Sequence, residues 1–243
     1  MNEARNDARS IRVDIDDESS VSGLLQSPPG ARACLVLAHG AGAGMAHPFM
    51  SAVARGLAVR GIATLRYQFS YMEQGGRRPD PPALAHRVVR AAVACTAELL
   101  PALPLFAGGK SFGGRMTSQA QAAAPLAGVR GLVFLGFPLH AARRPSDTRG
   151  AHLSDVAIPM LFVQGERDAL ADPECLRPLV HRLGERAALE MIEHADHSFH
   201  VPKRSGSTDA EVLDDALDTI ADWIDRHAGQ SGTGTNRGTV LGW

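Results

Sequence analysis

The sequence has no excess of charge, few cysteines and no long apolar segment, and each shortage excludes a class of protein. The 243 residues carry 25 Lys and Arg against 26 Asp and Glu, a formal net charge of −1. This balance favours neither a nucleic acid nor a membrane as a partner. No apolar run reaches the roughly 18 residues that a membrane-spanning helix requires. Cys34 lies in a predicted strand and Cys95 in a predicted helix, so we expect reduced thiols and a cytoplasmic protein.

Lysine is scarce as well, since Lys110 and Lys203 are the only two in the chain. We interpret the predominance of arginine as compositional bias of the genome and not as a functional feature. Because buried lysine is rare, we expect the Lys110 ammonium to be solvated.

The segment 106–115, with the sequence FAGGKSFGGR, places Ser111 in a Gly-x-Ser-x-Gly pattern. Apolar residues precede the pattern and an Ala- and Gln-rich helical run follows it. It therefore predicts a strand, a tight turn with the serine at its apex, and a helix. Glycines two residues to either side remove Cβ atoms that would clash in so sharp a turn. In a chain with 25 glycines such a pattern also arises by chance, and alone it indicates only a strand–helix turn.

The same segment resembles the end of a phosphate-binding loop, G-x-x-x-x-G-K-[ST]. That loop needs a glycine five residues before Gly109, and Pro104 stands there. Proline has no N–H to offer a phosphate and cannot adopt a positive φ. Residues 105–107 are typical of a buried strand, which argues against nucleotide binding here.

Two other polar turns follow apolar strands. The strand predicted at 158–163 runs into a turn that ends at Asp168, and the strand predicted at 188–192 opens into a loop with His197. A serine hydroxyl is a poor nucleophile until a base takes its proton, and a neutral imidazole has a suitable pKa near pH 7. A carboxylate behind the imidazole fixes its tautomer and stabilises the imidazolium. These residues predict nucleophilic catalysis by Ser111, with His197 as the base and Asp168 as its carboxylate.

Neighbouring residues compete for two of these roles. His194 and His200 flank His197, and His200 is the stronger alternative base. Asp172 competes with Asp168, but an aspartate followed by proline is typical of the start of a helix, where aspartate caps the first turn.

A glycine-rich loop lies upstream. The strand predicted at 33–38 is followed by a loop that begins with His39 and Gly40. In a serine hydrolase of this chain order, one backbone N–H of the oxyanion hole comes from this loop and the other from the residue after the nucleophile. The donors would be Ala41 and Phe112. By itself the His-Gly pair is equally typical of a simple turn at the end of a strand.

Together these segments resemble a small bacterial α/β-hydrolase of the dienelactone-hydrolase type, over about residues 10–228. The segments that carry the resemblance are Leu37–Gly42, Gly109–Arg115, Gln164–Asp168 and Ala195–Phe199. The family has the triad order Ser, Asp, His, as here. Dienelactone hydrolases proper use a cysteine nucleophile, and Ser111 stands at that position, so the resemblance does not imply a lactone substrate.

The resemblance implies a serine hydrolase, similar to esterases and thioesterases, that cleaves a small acyl ester through an acyl-enzyme. It implies no cofactor and no metal. Two alternatives stay open: an acyltransferase on the same triad, and a non-catalytic partner-binding protein of the same fold. The expected partner is a small-molecule acyl substrate, and the sequence is compatible with a homodimer.

The fold expected is α/β, with a mostly parallel central sheet and helices on both faces. Short, nearly all-apolar strands that alternate with helices are typical of such a sheet. We expect the α/β-hydrolase domain over 9–228, a flexible N-terminus over 1–8 and a disordered tail over 229–243. Only 136–156 separates the sixth and seventh strands, which is too short for a large lid domain.

Four residues are candidates for substrate binding. His39, Gly40, Arg66 and Arg115 lie in segments expected near the carboxyl ends of the strands, where ligands of α/β proteins bind. The two arginines could bind a carboxylate of the substrate. The alternative for each arginine is an exposed or structural cation.

Overall fold

The centre of the molecule is an eight-stranded sheet, seen in a computed structural model that describes residues 8–229. The strands are β1 (Arg9–Asp14), β2 (Ser20–Gln26), β3 (Ala33–Ala38), β4 (Ile62–Tyr67), β5 (Leu105–Lys110), β6 (Val129–Leu135), β7 (Met160–Gly165) and β8 (Ala187–Ile192). Their spatial order is β1-β2-β4-β3-β5-β6-β7-β8. β2 pairs antiparallel with β1 and with β4, and all other pairs are parallel. The mostly parallel sheet expected from the sequence is confirmed.

Helices cover both faces of the sheet. They are α1 (Pro48–Val59), α2 (Ser70–Glu73), α3 (Pro82–Leu99), α4 (Phe112–Ala123), α5 (Pro173–Leu183) and α6 (Asp209–Ala228). α1 and α6 pack into one apolar core, and α3, α4 and α5 pack into another on the opposite face. In β3, Leu35 and Leu37 belong to the first core, while Val36 and Ala38 belong to the second. A strand that is buried on both sides must be apolar at every position, which explains the uninterrupted apolar run.

The connection between β6 and β7 contains one irregular 3-10 segment, Thr148–Asp155, within the described chain. It adds no domain above the sheet. The prediction that the fold has no large lid is confirmed.

The segment 68–82, which connects β4 to α3, contains the short helix α2. Phe69 and Tyr71 are buried there, and the Tyr71 hydroxyl accepts a hydrogen bond from the Gly42 amide at 2.9 Å. Two buried aromatic rings therefore anchor a segment whose other residues are mostly polar.

The predicted flexible N-terminus and disordered tail lie outside the described residues, apart from Ala8 and Gly229. No helix in the described chain is long and apolar enough to cross a membrane. The cysteines Cys34, Cys95 and Cys175 are free thiols.

Candidate active site

Ser111 occupies the sharp turn between β5 and α4. Its backbone has φ 50° and ψ −115°, a conformation that a residue with a Cβ rarely adopts and that costs about 1–3 kcal/mol. The serine stands at the N-cap of α4, yet its side chain caps no backbone N–H of the helix. The hydroxyl is therefore available for another partner.

The two glycines of the pattern let this turn approach β3. A Cβ on Gly109 would lie 2.3 Å from the Ala38 carbonyl oxygen. A Cβ on Gly113 would lie 2.6 Å from the carbonyl oxygens of both Ala38 and His39. Any side chain at either position would push the serine turn away from the neighbouring strand, so both glycines are required by packing.

His197 connects Ser111 with Asp168. The distance between His197 Nε2 and Ser111 Oγ is 2.9 Å, and that between His197 Nδ1 and an Asp168 carboxylate oxygen is 2.6 Å. A carboxylate can only accept, so Nδ1 donates and Nε2 is left to accept the serine proton. Both are hydrogen-bond distances, so the structure brings the three predicted residues into contact.

Asp168 is fixed by further hydrogen bonds. Its side chain is fully buried and accepts from Gln164 Nε2 at 2.5 Å and from the Leu170 amide at 2.8 Å. Gln164 Oε1 in turn accepts from the Phe137 amide at 2.8 Å. Gln164 was not predicted from the sequence. The available signal was a single amide side chain in the otherwise apolar strand β7.

Two backbone amides beside the serine have no hydrogen-bond acceptor among residues 8–229. They belong to Ala41, in the loop after β3, and to Phe112, the first residue of α4. The amide of Phe112 is one of the donors that a helix leaves free at its N-terminus, where the helix dipole favours negative charge. These are the two donors predicted for an oxyanion hole.

A cleft of about 450 Å³ opens above the serine and the histidine. Its lining includes Gly40, Ala41, Phe49, Lys110, Leu170 and Ser198. Most of this lining is apolar. Gly40, predicted to bind substrate, and Ala41, predicted to supply an amide of the oxyanion hole, both line this cleft.

His39 does not line the cleft, which corrects its prediction as a substrate-binding residue. The side chain is 0% exposed. Its Nδ1 donates to the Gly40 carbonyl at 2.8 Å, and its Nε2 accepts from the Phe69 amide at 3.1 Å. Burial lowers its pKa, in agreement with this neutral arrangement. His39 holds the loop after β3 in place.

Arg66 and Arg115 are also absent from the cleft lining. Arg66 is 3% exposed and lies under α1, where its Nη1 donates to Ser51 Oγ at 2.8 Å. Arg115 is half-buried on the first turn of α4, and burial together with the charge of Arg149 lowers its pKa. Neither guanidinium reaches the space above Ser111.

The competing residues have other partners. His200 Nδ1 pairs with Asp209 at 2.8 Å on the surface, and His194 is exposed near Glu166. Asp172 caps α5 by accepting from the Glu174 amide at 2.9 Å. None of the three contacts Ser111.

Lys110 differs from its prediction of a solvated side chain, because the residue is partly buried and its ammonium lies against other groups of the protein. Nζ donates a hydrogen bond to the His197 carbonyl oxygen. It also lies 5.4 Å from the ring centroid of Phe199 and 5.9 Å from that of Phe49. Burial lowers the pKa of Lys110 to about 8, although Asp168 and Asp196 partly oppose the shift.

A family model described as an alpha/beta hydrolase domain matches residues 31–225. The chain belongs to the α/β-hydrolase family. The matched span contains all nine candidate residues predicted from the sequence, from His39 to His197, and six of the eight strands.

Solved α/β-hydrolases share this fold. The chain is similar to a dienelactone hydrolase from Anabaena variabilis, with 22% identity and a TM-score of 0.74 over 91% of this chain and 98% of that one. It is also similar to a lidless α/β serine hydrolase from Xanthomonas campestris, with 20% identity and a TM-score of 0.70 over 93% and 97%. Est1E from Butyrivibrio proteoclasticus has 15% identity and a TM-score of 0.68 over 91% and 99%. At these identities the likeness establishes the fold.

Proposed function

We propose that this α/β-hydrolase is a serine esterase that cleaves a small acyl ester, with Ser111, His197 and Asp168 as its catalytic triad. The observation that carries the proposal is the position of His197, whose ring is 2.9 Å from Ser111 Oγ and 2.6 Å from Asp168. The serine turn and the open cleft above it support the same role.

Acylation begins when Ser111 Oγ attacks the ester carbonyl carbon and His197 Nε2 takes the hydroxyl proton. The carbonyl oxygen becomes an oxyanion, which accepts hydrogen bonds from the amides of Ala41 and Phe112. The intermediate then collapses, and the imidazolium gives its proton to the departing alkoxide. An alcohol leaves, and the acyl group stays bonded to the serine.

Deacylation repeats these steps with water as the nucleophile. His197 takes a proton from the water while its oxygen attacks the acyl carbon, and the serine receives that proton as the acid leaves. Asp168 keeps Nδ1 protonated throughout and stabilises each imidazolium. Gln164 and the Leu170 amide hold the carboxylate in place.

The dimensions of the cleft support a short acyl group. Its volume of about 450 Å³ lies in the lower part of the range for small-molecule sites. The described connection between β6 and β7 adds no lid to cover a long chain. We therefore expect acyl groups of about two to four carbons to be preferred over long ones. Specificity constants across a series of p-nitrophenyl esters measure this preference, and a maximum at about eight carbons or more contradicts it.

The substitution Ser111→Ala tests the nucleophile. We expect loss of p-nitrophenyl acetate hydrolysis and of labelling by a fluorophosphonate, with an unchanged melting temperature because the lost hydroxyl is small. Ser118→Ala is the matched control. Ser118 Oγ lies 2.8 Å from His152 Nε2, so it belongs to a second Ser–His pair, but it is buried and away from the cleft.

The control should keep its activity and its label. Full activity in Ser111→Ala would overturn the proposal. Labelling of Ser111 without turnover in water, combined with acyl transfer to an added alcohol, would identify an acyltransferase instead.

A further inference from the structure

Lys110 is the last residue of β5 and lies beside Ser111 in the wall of the cleft. Its ammonium is enclosed by the Phe49 and Phe199 rings and donates to the His197 carbonyl oxygen. Among the residues that line the cleft in the described chain, Lys110 is the only lysine or arginine. It is therefore the one lysine or arginine that a ligand in this cleft could meet among the described residues.

This ammonium has no carboxylate partner in the described chain. Asp168 and Asp196 are the acidic groups that it senses, but each accepts hydrogen bonds from other groups. Asp168 accepts from His197 and Gln164, and Asp196 accepts from the amides of Ser198 and His200. The nearest protein anions are therefore already engaged.

A lysine ammonium has three N–H donors, and one of them is satisfied by the His197 carbonyl. Even partial removal of a charge from water is costly unless the charge is paired. Burial accordingly lowers the pKa of Lys110 to about 8. An anion in the cleft would supply the missing partner and would stabilise the charged form.

We propose that the cleft binds an acyl substrate that carries a carboxylate, such as the half-ester of a short dicarboxylic acid, and that the Lys110 ammonium binds this carboxylate. The inference rests on the proposed function, since it places the ester group of the same molecule at Ser111. Lys110 and Ser111 line the same cleft of about 450 Å³, so we expect a substrate with few carbons between its ester and its carboxylate. Arg66 and Arg115, the cations suggested by the sequence, lie outside this space.

The test compares two substrates of nearly the same shape, monomethyl succinate and its neutral amide methyl succinamate. The readout is the ratio of their kcat/KM values in the wild type, Lys110→Met and Lys110→Gln. We expect the ratio to fall about tenfold to a hundredfold in both variants, the range for a lost charge-assisted hydrogen bond. Glutamine keeps a hydrogen-bond donor for the His197 carbonyl but has no charge. It therefore distinguishes the effect of the positive charge from the effect of the hydrogen bond that supports the His197 loop.

Lys203→Met is the matched control, because Lys203 is the other lysine of the chain and lies outside the cleft lining. Its ratio should equal that of the wild type. Thermal unfolding identifies any variant that fails to fold, and the remaining variant then decides the result. An unchanged ratio in a folded Lys110 variant overturns the proposal. An equal loss on both substrates also overturns it and assigns Lys110 to support of the His197 loop.

A binding measurement separates this inference from the proposed function. Calorimetry with monomethyl succinate compares Ser111→Ala with the double variant Lys110→Met/Ser111→Ala, so that no turnover is involved. We expect the double variant to bind at least about tenfold more weakly. Equal affinities overturn the carboxylate site even if the esterase is active. A tenfold difference without ester hydrolysis by the wild type keeps the site and rejects the esterase.

Discussion

Gln164 Nε2 lies 2.5 Å from an Asp168 carboxylate oxygen, and its own carbonyl oxygen accepts from the Phe137 amide at 2.8 Å. The glutamine therefore links the buried carboxylate of the site to the chain that follows β6. Both hydrogen bonds are buried, so neither group has water as a substitute partner.

Gln164→Leu should reduce kcat and stability together. The substitution removes a donor from Asp168 and leaves the Phe137 amide without an acceptor. We expect about 1–3 kcal/mol lower stability in chemical unfolding. We also expect a fall in kcat of about tenfold or more, because the imidazole loses its fixed orientation.

Gln121→Leu is the control for this prediction. Gln121 is a buried glutamine whose Oε1 accepts from the Leu126 amide at 2.7 Å, away from the cleft. It should lose stability and keep its kcat. A Gln164→Leu variant that loses stability but keeps full kcat would show that the glutamine has no role in positioning.

Gly113→Ala should prevent the serine turn from packing on β3. The new Cβ would lie 2.6 Å from two carbonyl oxygens, a clash that costs about 3 kcal/mol where the backbone cannot move. Unfolding experiments should show this loss, and ester hydrolysis should fall with it. Gly229→Ala is the control, since no atom lies within 4 Å of its Cβ. Equal stability of the two variants would contradict the packing argument.

His197→Ala should abolish ester hydrolysis, while His200→Ala should leave kcat within about twofold of the wild type. His200 pairs with Asp209 on the surface, and its pKa is raised by that hydrogen bond. The imidazole is exposed, so its removal should change the melting temperature little. A large loss of kcat in His200→Ala would reopen the choice of base.

The preference for an anionic acyl group should decrease as the pH rises through about 8. Lys110 has its pKa lowered to about 8 by burial, so the ammonium is charged below that pH and neutral above it. The ionisable groups beside it are Asp168, Asp196 and His197, and His47 lines the same cleft. Lys110→Met keeps these groups, so comparing its ratio of monomethyl succinate to methyl succinamate turnover with that of the wild type isolates the lysine.

That ratio should be constant in Lys110→Met between about pH 6 and 10. A wild-type ratio that does not change over the same range would contradict the assignment. A ratio that rises with pH would reverse the sign and exclude an ammonium as the partner.

The spatial relation of Ser111, Asp168 and His197 could be predicted because each follows an apolar strand of a parallel sheet. The carboxyl ends of parallel strands lie at one edge, so residues just after them come together whatever their separation in the chain. The Gly-x-Ser-x-Gly pattern identified which serine occupies the turn. Gln164 was not predicted, because a single polar residue in a strand does not indicate which partner it meets.

The directions of the cationic side chains could not be predicted in the same way. Leu65 and Tyr67 belong to the core under α3, so the alternation of β4 turns Arg66 to the other face, beneath α1. For Lys110, the rarity of buried lysine predicted a solvated ammonium. In the structure the loop with His197 and the ring of Phe199 lie against it, and both come from a distant part of the chain.

The hydrogen bond between Ser111 and His197 joins residues that are 86 positions apart, and the one between His197 and Asp168 spans 29. Contacts of such high sequence separation form late, because the entropy of closing long loops must be overcome before they contribute. Ser111 precedes α4 in the chain, whereas Asp168 and His197 follow it. The recovery of ester hydrolysis during refolding would therefore report when the sheet is completed. The recovery of helical circular dichroism would report helix formation separately, so the catalytic activity measures the rate of the last stage of folding.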